Sequence, residues 1–253
     1  MKPFQTLDDV VDGLATLEAD FRSRADRRCV FLTLYGIVSS QMRSRVRDRA
    51  FADPEWVHRY AVAFANFYRQ ALEDYDAGRL DAVPKSWRLC FDAARSGAGL
   101  VLQDLLLGVN AHVNNDLPFA LSSVSIDPDR ELRYRDHAAV NAVLGSVVER
   151  ATARLAELYA PGLTGMDNCA GQLDELAGLF SLQVARESAW ESAVSLANAR
   201  NDVERHLVTK LLGGRAAVLA RLLLTPSLNP AALAACSRLE RGSSWLTMLG
   251  AIR

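Results

Sequence analysis

Apolar residues recur along this chain with the spacing of α-helices. In the first segment they fall three or four residues apart, at Leu7, Val10, Val11, Leu14, Leu17 and Phe21. This period places them on one face of a helix. Thr6 stands where an N-cap belongs, and Asp8 and Asp9 occupy the first turn, where the helix dipole favours acids. The sequence therefore predicts an amphipathic helix at the start of the chain.

The same period predicts helices along the rest of the chain. A second helix is expected from after Asp26 to about Arg49. A third begins at the segment "DPEW", with Asp53 as N-cap and Pro54 at the first helical position, and ends at Gly78. Further helices are predicted at 85–96, 100–115 and 135–159, the last of which should stop at Pro161–Gly162. A helical pattern at 172–200 continues toward the C-terminus with an expected break at Gly213–Gly214. A last helix should follow Asn229–Pro230.

Strand signals are weak in the sequence, since no alternating segment bounded by turns is better explained as a strand than as a helix. We therefore predict an all-α fold, with residues 1–253 forming a single domain. This domain is a multi-helix bundle of about eight to ten helices.

Composition and charge restrict the partners. The chain has 253 residues, 50% of them hydrophobic and 23% charged, with a net charge of −1. No global basic field exists to bind a nucleic acid or an anionic membrane. The start of the chain carries acids and lacks the apolar region of a secretory signal, and no stretch is long enough for a membrane span. Four cysteines lie far apart, at Cys29, Cys90, Cys169 and Cys236. These features favour a cytoplasmic protein with reduced thiols and neither a nucleic-acid nor a membrane partner.

One segment does not fit the apolar helix in which it lies. The sequence "GVNAHVNNDLP", residues 108–118, follows the apolar run "GLVLQDLLL". It carries five polar side chains in seven positions: Asn110, His112, Asn114, Asn115 and Asp116. On a helix, His112 and Asp116 share a face at i,i+4, and Gly108 one turn earlier leaves room above His112.

Such groups cannot remain unpaired in an apolar core, where each unsatisfied group costs roughly 1–3 kcal/mol. They either bond to one another or face a polar cavity, and we favour the cavity. The structural alternative is that Asp116, which precedes Leu117 and Pro118, caps a turn at the end of the helix.

Several landmarks appear together in order. They are "FLTLYGIVS", "PEWVHRYAVAFANFYRQAL", "PKSWRLCFDAA", "LLLGVNAHVNNDLPFAL", "YRDHAAVNAVL" and "ARESAWESAVSLANAR". Over most of its length the chain resembles an uncharacterised bacterial family, also found in fungi, that is filed as a domain of unknown function. The hallmark of that family is a G-[IM]-N-A-H-[IV]-N-x-D-L-P segment.

A second family segment, D-[YF]-x-x-V-N, follows some twenty residues later. Asp136, Val140 and Asn141 match it, whereas His137 stands where an aromatic residue is usual. The resemblance implies no particular activity. If the two helices pack together, Asp136 and Asn141 join His112 and Asp116 in one buried cluster.

The leading hypothesis is a small-molecule enzyme that acts on a largely apolar substrate. His112 is the predicted acid–base catalyst, oriented by Asp116 or Asp136, and this chemistry needs no cofactor. A cyclase, isomerase or lyase step in specialised metabolism fits. The predicted substrate-binding residues are Asn110, Asn114, Asn115, Asn141, Tyr68 and Asn66. The expected partner is the small-molecule substrate, and the sequence leaves a homodimer open.

Two alternatives belong to other classes of protein. A metal-dependent hydrolase would use His112, Asp116 and Asp136, because H-x-x-x-D is ligand spacing. The segment is faintly similar to the H-x-x-x-D helix of zinc phospholipase C and P1 nuclease, but the four histidines of this chain are too few for a trinuclear site, and we expect no bound metal. The third hypothesis is a non-catalytic ligand-binding or interaction protein, in which the cluster only holds helices together.

Overall fold

The computed structural model describes residues 1–97, 99–159 and 181–225. Its α-helices are α1 (Leu7–Ser23), α2 (Cys29–Arg47), α3 (Pro54–Asp76), α4 (Lys85–Ser96), α5 (Val101–Asn110), α6 (Leu117–Ser123), α7 (Arg130–Gly145), α8 (Val148–Tyr159), α9 (Leu182–Asn198) and α10 (Asp202–Leu224). A π-helical segment, Ala111–Asp116, joins α5 to α6 without interruption. Counted with α5 and α6 as one, nine helices and no strands make up these residues, which confirms the all-α prediction.

The predicted starts of α1 and α3 are confirmed at the level of single hydrogen bonds. The Thr6 hydroxyl accepts from the backbone N–H of Asp9, and the Asp9 carboxylate accepts in return from the Thr6 N–H. The Asp53 carboxylate accepts from the Trp56 N–H at 2.8 Å, with Pro54 at the first helical position. These caps satisfy backbone donors that the first turn of a helix leaves unpaired.

The continuous helix from Val101 to Ser123 lies at the centre of the fold and is called here the central helix. It packs against α2, α3, α4, α9 and α10. The prediction that it ends near Asn115 is wrong, because Asp116 (φ −83°, ψ −35°) and Leu117 (φ −59°, ψ −42°) are helical. A proline ring normally clashes with the carbonyl four residues earlier. The π turn just before Pro118 bonds residues five apart and widens the helix, which makes room for the ring.

The segment 135–159, predicted as one helix, is two helices. Helix α7 ends at Gly145 and α8 begins at Val148. Glycine is a poor helix former, and the Ser146 hydroxyl donates to the carbonyl oxygen of Val143 at 2.7 Å, a local bond that competes with helix continuation.

The predicted break at Gly213–Gly214 does not occur, and α10 passes through both glycines. A Cβ atom placed on Gly213 would lie 3.9 Å from the Asn115 side-chain oxygen, so α10 passes close to the π segment at this residue. Helices α9 and α10 separate instead near Asn201, whose side chain accepts from the Glu204 N–H. The stop at Pro161–Gly162, the range 172–180 and the helix after Asn229–Pro230 lie outside the described residues.

The core surrounds the central helix and is rich in aromatic side chains. Trp56, Trp87 and Tyr68 are fully buried, and Phe31 joins them. Within the described ranges, none of the helices combines the length and the apolar character required to span a bilayer.

Candidate active site

His112 and Asp116 form a buried pair in the π segment. The His112 Nδ1 atom lies 3.0 Å from Asp116 Oδ2. Two further donors reach the same carboxylate, the Trp87 indole N–H at 2.8 Å from Oδ2 and the Asn115 amide at 2.8 Å from Oδ1. Because both partners donate to Asp116, its oxygens act as acceptors, which places the imidazole proton of His112 on Nδ1.

The other ring nitrogen of His112 has no partner among the described residues. Nε2 is buried and makes no hydrogen bond within the described ranges. Burial lowers the pKa of His112, and the neighbouring Asp116 only partly opposes this effect. The imidazole is therefore neutral near pH 7 and carries a free lone pair on Nε2.

Five aromatic rings surround this imidazole and form what is called here the aromatic cage: Phe31, Tyr35, Phe64, Tyr68 and Trp87. Phe64 stacks on His112 with ring centroids 3.5 Å apart and planes inclined by 6°. Tyr35 meets the ring edge-on at a centroid distance of 4.6 Å. The stack and the Asp116 bond together fix both the plane and the rotation of the imidazole.

Gly108 shapes the cage in a way that differs from the prediction. A Cβ atom at this position would lie 2.6 Å from the ring of Phe31. The room that glycine provides is therefore filled by Phe31, which in turn contacts the His112 ring edge-on at 5.7 Å. The glycine permits close packing of α2 on the central helix.

His112 borders a space of about 90 Å³, called here the central cavity. It lies between α1, α2, α3, the central helix, α7 and α9, and its walls are mostly apolar. The polar groups on its walls are His112, Arg186, Ser39, Tyr35 and Tyr60. An apolar cavity with a few polar groups is the usual form of a small-molecule site.

Arg186 lies on the same cavity and anchors a second polar group, called here the Arg186 cluster. Its Nε donates to Asn141 Oδ1 at 2.8 Å, and its Nη2 donates to the His137 carbonyl oxygen at 2.6 Å. The His137 Nε2 lies 3.1 Å from the Arg186 carbonyl oxygen, so this nitrogen carries the imidazole proton. Burial, helped by the Arg186 charge, lowers the pKa of His137 to about 3.

Arg186 and Tyr60 line the cavity although neither is among the residues predicted from the sequence. The sequence did contain a signal for Arg186. It lies three, four and seven residues before Ala189, Trp190 and Ala193, a spacing that places it on the same helix face as these buried residues. A charged residue on the apolar face of a helix is a departure from amphipathic patterning. Tyr60 gives no such signal, because an aromatic residue on the buried face of α3 is ordinary core.

Asp136 does not join His112. Its two carboxylate oxygens accept from the backbone N–H groups of Ala52 and Asp53, each at 2.7 Å. It therefore holds the chain just before α3, and the predicted cluster of His112, Asp116 and Asp136 does not form. Across residues 1–97, 99–159 and 181–225, no three His, Cys, Asp or Glu side chains converge as metal ligands.

None of the six predicted substrate-binding residues lines the central cavity. Asn110 donates to the Ala216 carbonyl oxygen at 2.9 Å, and Asn114 donates to Asn110 at 3.0 Å. Asn66 exchanges hydrogen bonds with the backbone of Phe4. These three amides therefore join elements of the fold.

The remaining three have different environments. Asn141 accepts from Arg186, and the Tyr68 hydroxyl is buried without a partner in the described part of the chain. Asn115 and Asp116 border a separate groove of about 810 Å³ between α3, α4, the π segment and α10. Asp116 thus borders this groove, whereas its partner His112 borders the central cavity.

The fold and site define an all-α protein with a buried His–Asp pair beside an apolar cavity. The chain belongs to the Family of unknown function (DUF5995), whose model matches residues 7–226. The match spans every helix described above and includes both His112 and Arg186, so the predicted family membership is confirmed. Comparison with curated proteins and with solved structures found no match.

Proposed function

We propose that this protein is a small-molecule enzyme that uses His112 as a general acid–base catalyst on a largely apolar substrate. The observation that carries this proposal is the buried Nε2 of His112, which has no partner among the described residues, in a side chain that lines the central cavity. A buried nitrogen with a free lone pair costs stability unless something occupies the position beside it. A substrate proton is a partner that this nitrogen can accept.

The reaction begins with a proton transfer. The lone pair of His112 Nε2 takes a proton from the substrate, and the bonding electron pair stays on the substrate, where it forms a double bond or attacks an electrophilic carbon. The resulting imidazolium then returns the proton to a different atom. A cyclase, isomerase or lyase step follows this pattern and consumes no external reductant or oxidant.

Asp116 is a positioning residue in this scheme. Its bond to Nδ1 keeps the proton away from Nε2 and stabilises the imidazolium that forms, as the buried carboxylate does in a Ser-His-Asp triad. Trp87 and Asn115 hold the Asp116 carboxylate in turn. The aromatic cage excludes water, which strengthens each of these interactions.

Deuterium incorporation tests the proposal even while the substrate is unidentified. The purified protein is incubated in D₂O with a lipophilic extract of cells that produce it, and mass spectrometry follows compounds that gain deuterium or change in mass. We expect at least one apolar compound to be labelled or converted by the wild-type protein. His112→Gln should abolish this, because an amide donates to Asp116 but cannot take up a proton.

His206→Gln is the matched control, because His206 is exposed on α10 and lies outside the cavity. It should retain full labelling. Labelling that survives in His112→Gln would contradict the assignment of His112. An extract in which no compound is labelled or converted would instead favour the non-catalytic ligand-binding hypothesis.

A further inference from the structure

Among the described residues, the buried charge of Arg186 has no anionic partner. Arg186 is 4% exposed, and no Asp or Glu carboxylate pairs with it in the described part of the chain. The other buried arginines differ in this respect: Arg27 pairs with Asp104, Arg28 with Asp26, and Arg69 with Glu73. A buried cation without a counter-charge is strongly unfavourable, so an anion is expected beside it.

The donors of Arg186 show where that anion would bind. Nε and Nη2 are engaged by Asn141 and by the His137 carbonyl oxygen at 2.8 and 2.6 Å. Nη1 has only a long contact of 3.5 Å to the Tyr60 hydroxyl. The Tyr60 hydroxyl has no acceptor of its own in the described ranges, so two donors, Nη1–H and the Tyr60 O–H, lie together on the cavity wall.

His137 does not compensate the charge. Its Nδ1 lies 3.4 Å from Arg186 Nη2, and its other nitrogen faces the Arg186 carbonyl oxygen. It therefore offers the guanidinium a lone pair but no negative charge. The Arg186 cluster satisfies most donors of the guanidinium and leaves its charge free for a ligand.

We infer that the substrate is an apolar carboxylate whose head group binds Arg186 and Tyr60 while its apolar body extends through the central cavity to His112. Both ends of this arrangement line the same cavity, with the apolar side chains of Phe64, Val113 and Val140 among its walls. A carboxylate suits the planar guanidinium and brings a single charge into an apolar space, where a phosphate would bring more. The inference rests on the proposed function in taking this cavity as the substrate site.

Binding of straight-chain carboxylates tests the inference. Isothermal titration calorimetry measures the affinity of the wild-type protein for the acids from hexanoate to dodecanoate and for the primary alcohols of equal length. We expect the best acid to bind at least 10-fold tighter than its alcohol, since only the acid supplies a counter-charge. Arg186→Gln should weaken binding of that acid at least 10-fold. Its affinity for the alcohol should stay within about two-fold of the wild-type affinity. Tyr60→Phe, which removes only the hydroxyl, should weaken binding of the acid by a smaller factor. This variant keeps the inference testable if Arg186→Gln does not fold.

Arg69→Gln is the matched control for loss of a buried arginine, since Arg69 lies outside the cavity and pairs with Glu73. It should bind the acid like the wild type. Equal affinity of Arg186→Gln and wild type for the acid, or no binding by any acid of the series, would overturn the inference. Tighter binding of decyl phosphate than of decanoate would overturn the choice of a carboxylate.

His112→Gln separates this inference from the proposed function. It should still bind the acid, because the head group lies at Arg186. If the acid binds while no compound is labelled in D₂O, the catalytic proposal fails and the anion site stands. If labelling depends on His112 while Arg186→Gln binds the acid like the wild type, the inferred anion site is wrong and the catalytic proposal stands.

Discussion

The imidazole of His112 lies flat on the ring of Phe64, with centroids 3.5 Å apart and planes only 6° from parallel. This stack leaves the ring no freedom to tilt, and the bond from Nδ1 to Asp116 prevents its rotation in the plane. The lone pair of Nε2 consequently points in one fixed direction within the aromatic cage. The geometry of one histidine thus depends on residues from α3, α4 and the central helix, which have separate positions in the sequence.

The protonation state of His112 follows from this geometry and is directly measurable. We expect ¹⁵N NMR at pH 7 to show a neutral His112 with its proton on Nδ1 and with Nε2 unprotonated. In Asp116→Asn, the new amide can donate to Nδ1, so part of the population should shift its proton to Nε2. A wild-type spectrum with the proton on Nε2 would contradict the assigned role of Asp116.

The indole of Trp87 should contribute more to stability than that of Trp56. Both side chains are fully buried, but Trp87 donates to the Asp116 carboxylate and Trp56 donates to the Ser125 carbonyl oxygen. Hydrogen bonds to charged groups are worth about 1.5–3 kcal/mol and neutral ones about 0.5–1.5 kcal/mol. Trp87→Phe should therefore lower the free energy of unfolding by roughly 1 kcal/mol more than Trp56→Phe, measured by urea denaturation. An equal or smaller loss at Trp87 would show that Asp116 does not need this donor.

Two glycine-to-alanine changes should have opposite effects. At Gly108 the added methyl group meets Phe31 at 2.6 Å, so Gly108→Ala should cost about 1–3 kcal/mol by overpacking. At Gly36, inside α2, a Cβ atom meets nothing within 4 Å, and Gly36→Ala should gain up to about 1 kcal/mol from helix propensity. Thermal midpoints should move by about 2–4 °C per kcal/mol in a protein of this size. A neutral Gly108→Ala would mean that Phe31 moves aside without cost.

The buried His137 should make the protein sensitive to acid. Its pKa is about 3 in the folded state against an ordinary value of 6.5, so only the unfolded chain takes up this proton between those values. The free energy of unfolding should therefore fall by about 1.4 kcal/mol per pH unit as the pH drops below 6.5, through this residue alone. His137→Phe removes the titrating group. When the pH is lowered from 7 to 5, its free energy of unfolding should therefore rise by about 2 kcal/mol relative to that of the wild type. A wild-type-to-variant difference that is the same at both pH values would show that the pKa of His137 is not lowered in the folded protein.

The sequence alone determined the features that depend on residues within one or two turns of each other. The capped starts of α1 and α3 are of this kind, because a cap needs only a side chain and a backbone N–H three residues away. The pairing of His112 with Asp116 is also local, since i,i+4 side chains meet on one helix whatever surrounds them.

Tertiary structure decided everything that joins distant parts of the chain. Asp136 binds the backbone of Ala52 and Asp53, more than eighty residues away, and so cannot serve His112. Arg186 and His137 meet although 49 residues separate them. The helical period fixes which face of each helix is buried, but not which two buried faces meet, because that choice depends on how the faces of all the helices fit together. The sequence therefore determined the His112–Asp116 pair, and only helix packing determined the cavity that it faces and the arginine on the same cavity wall.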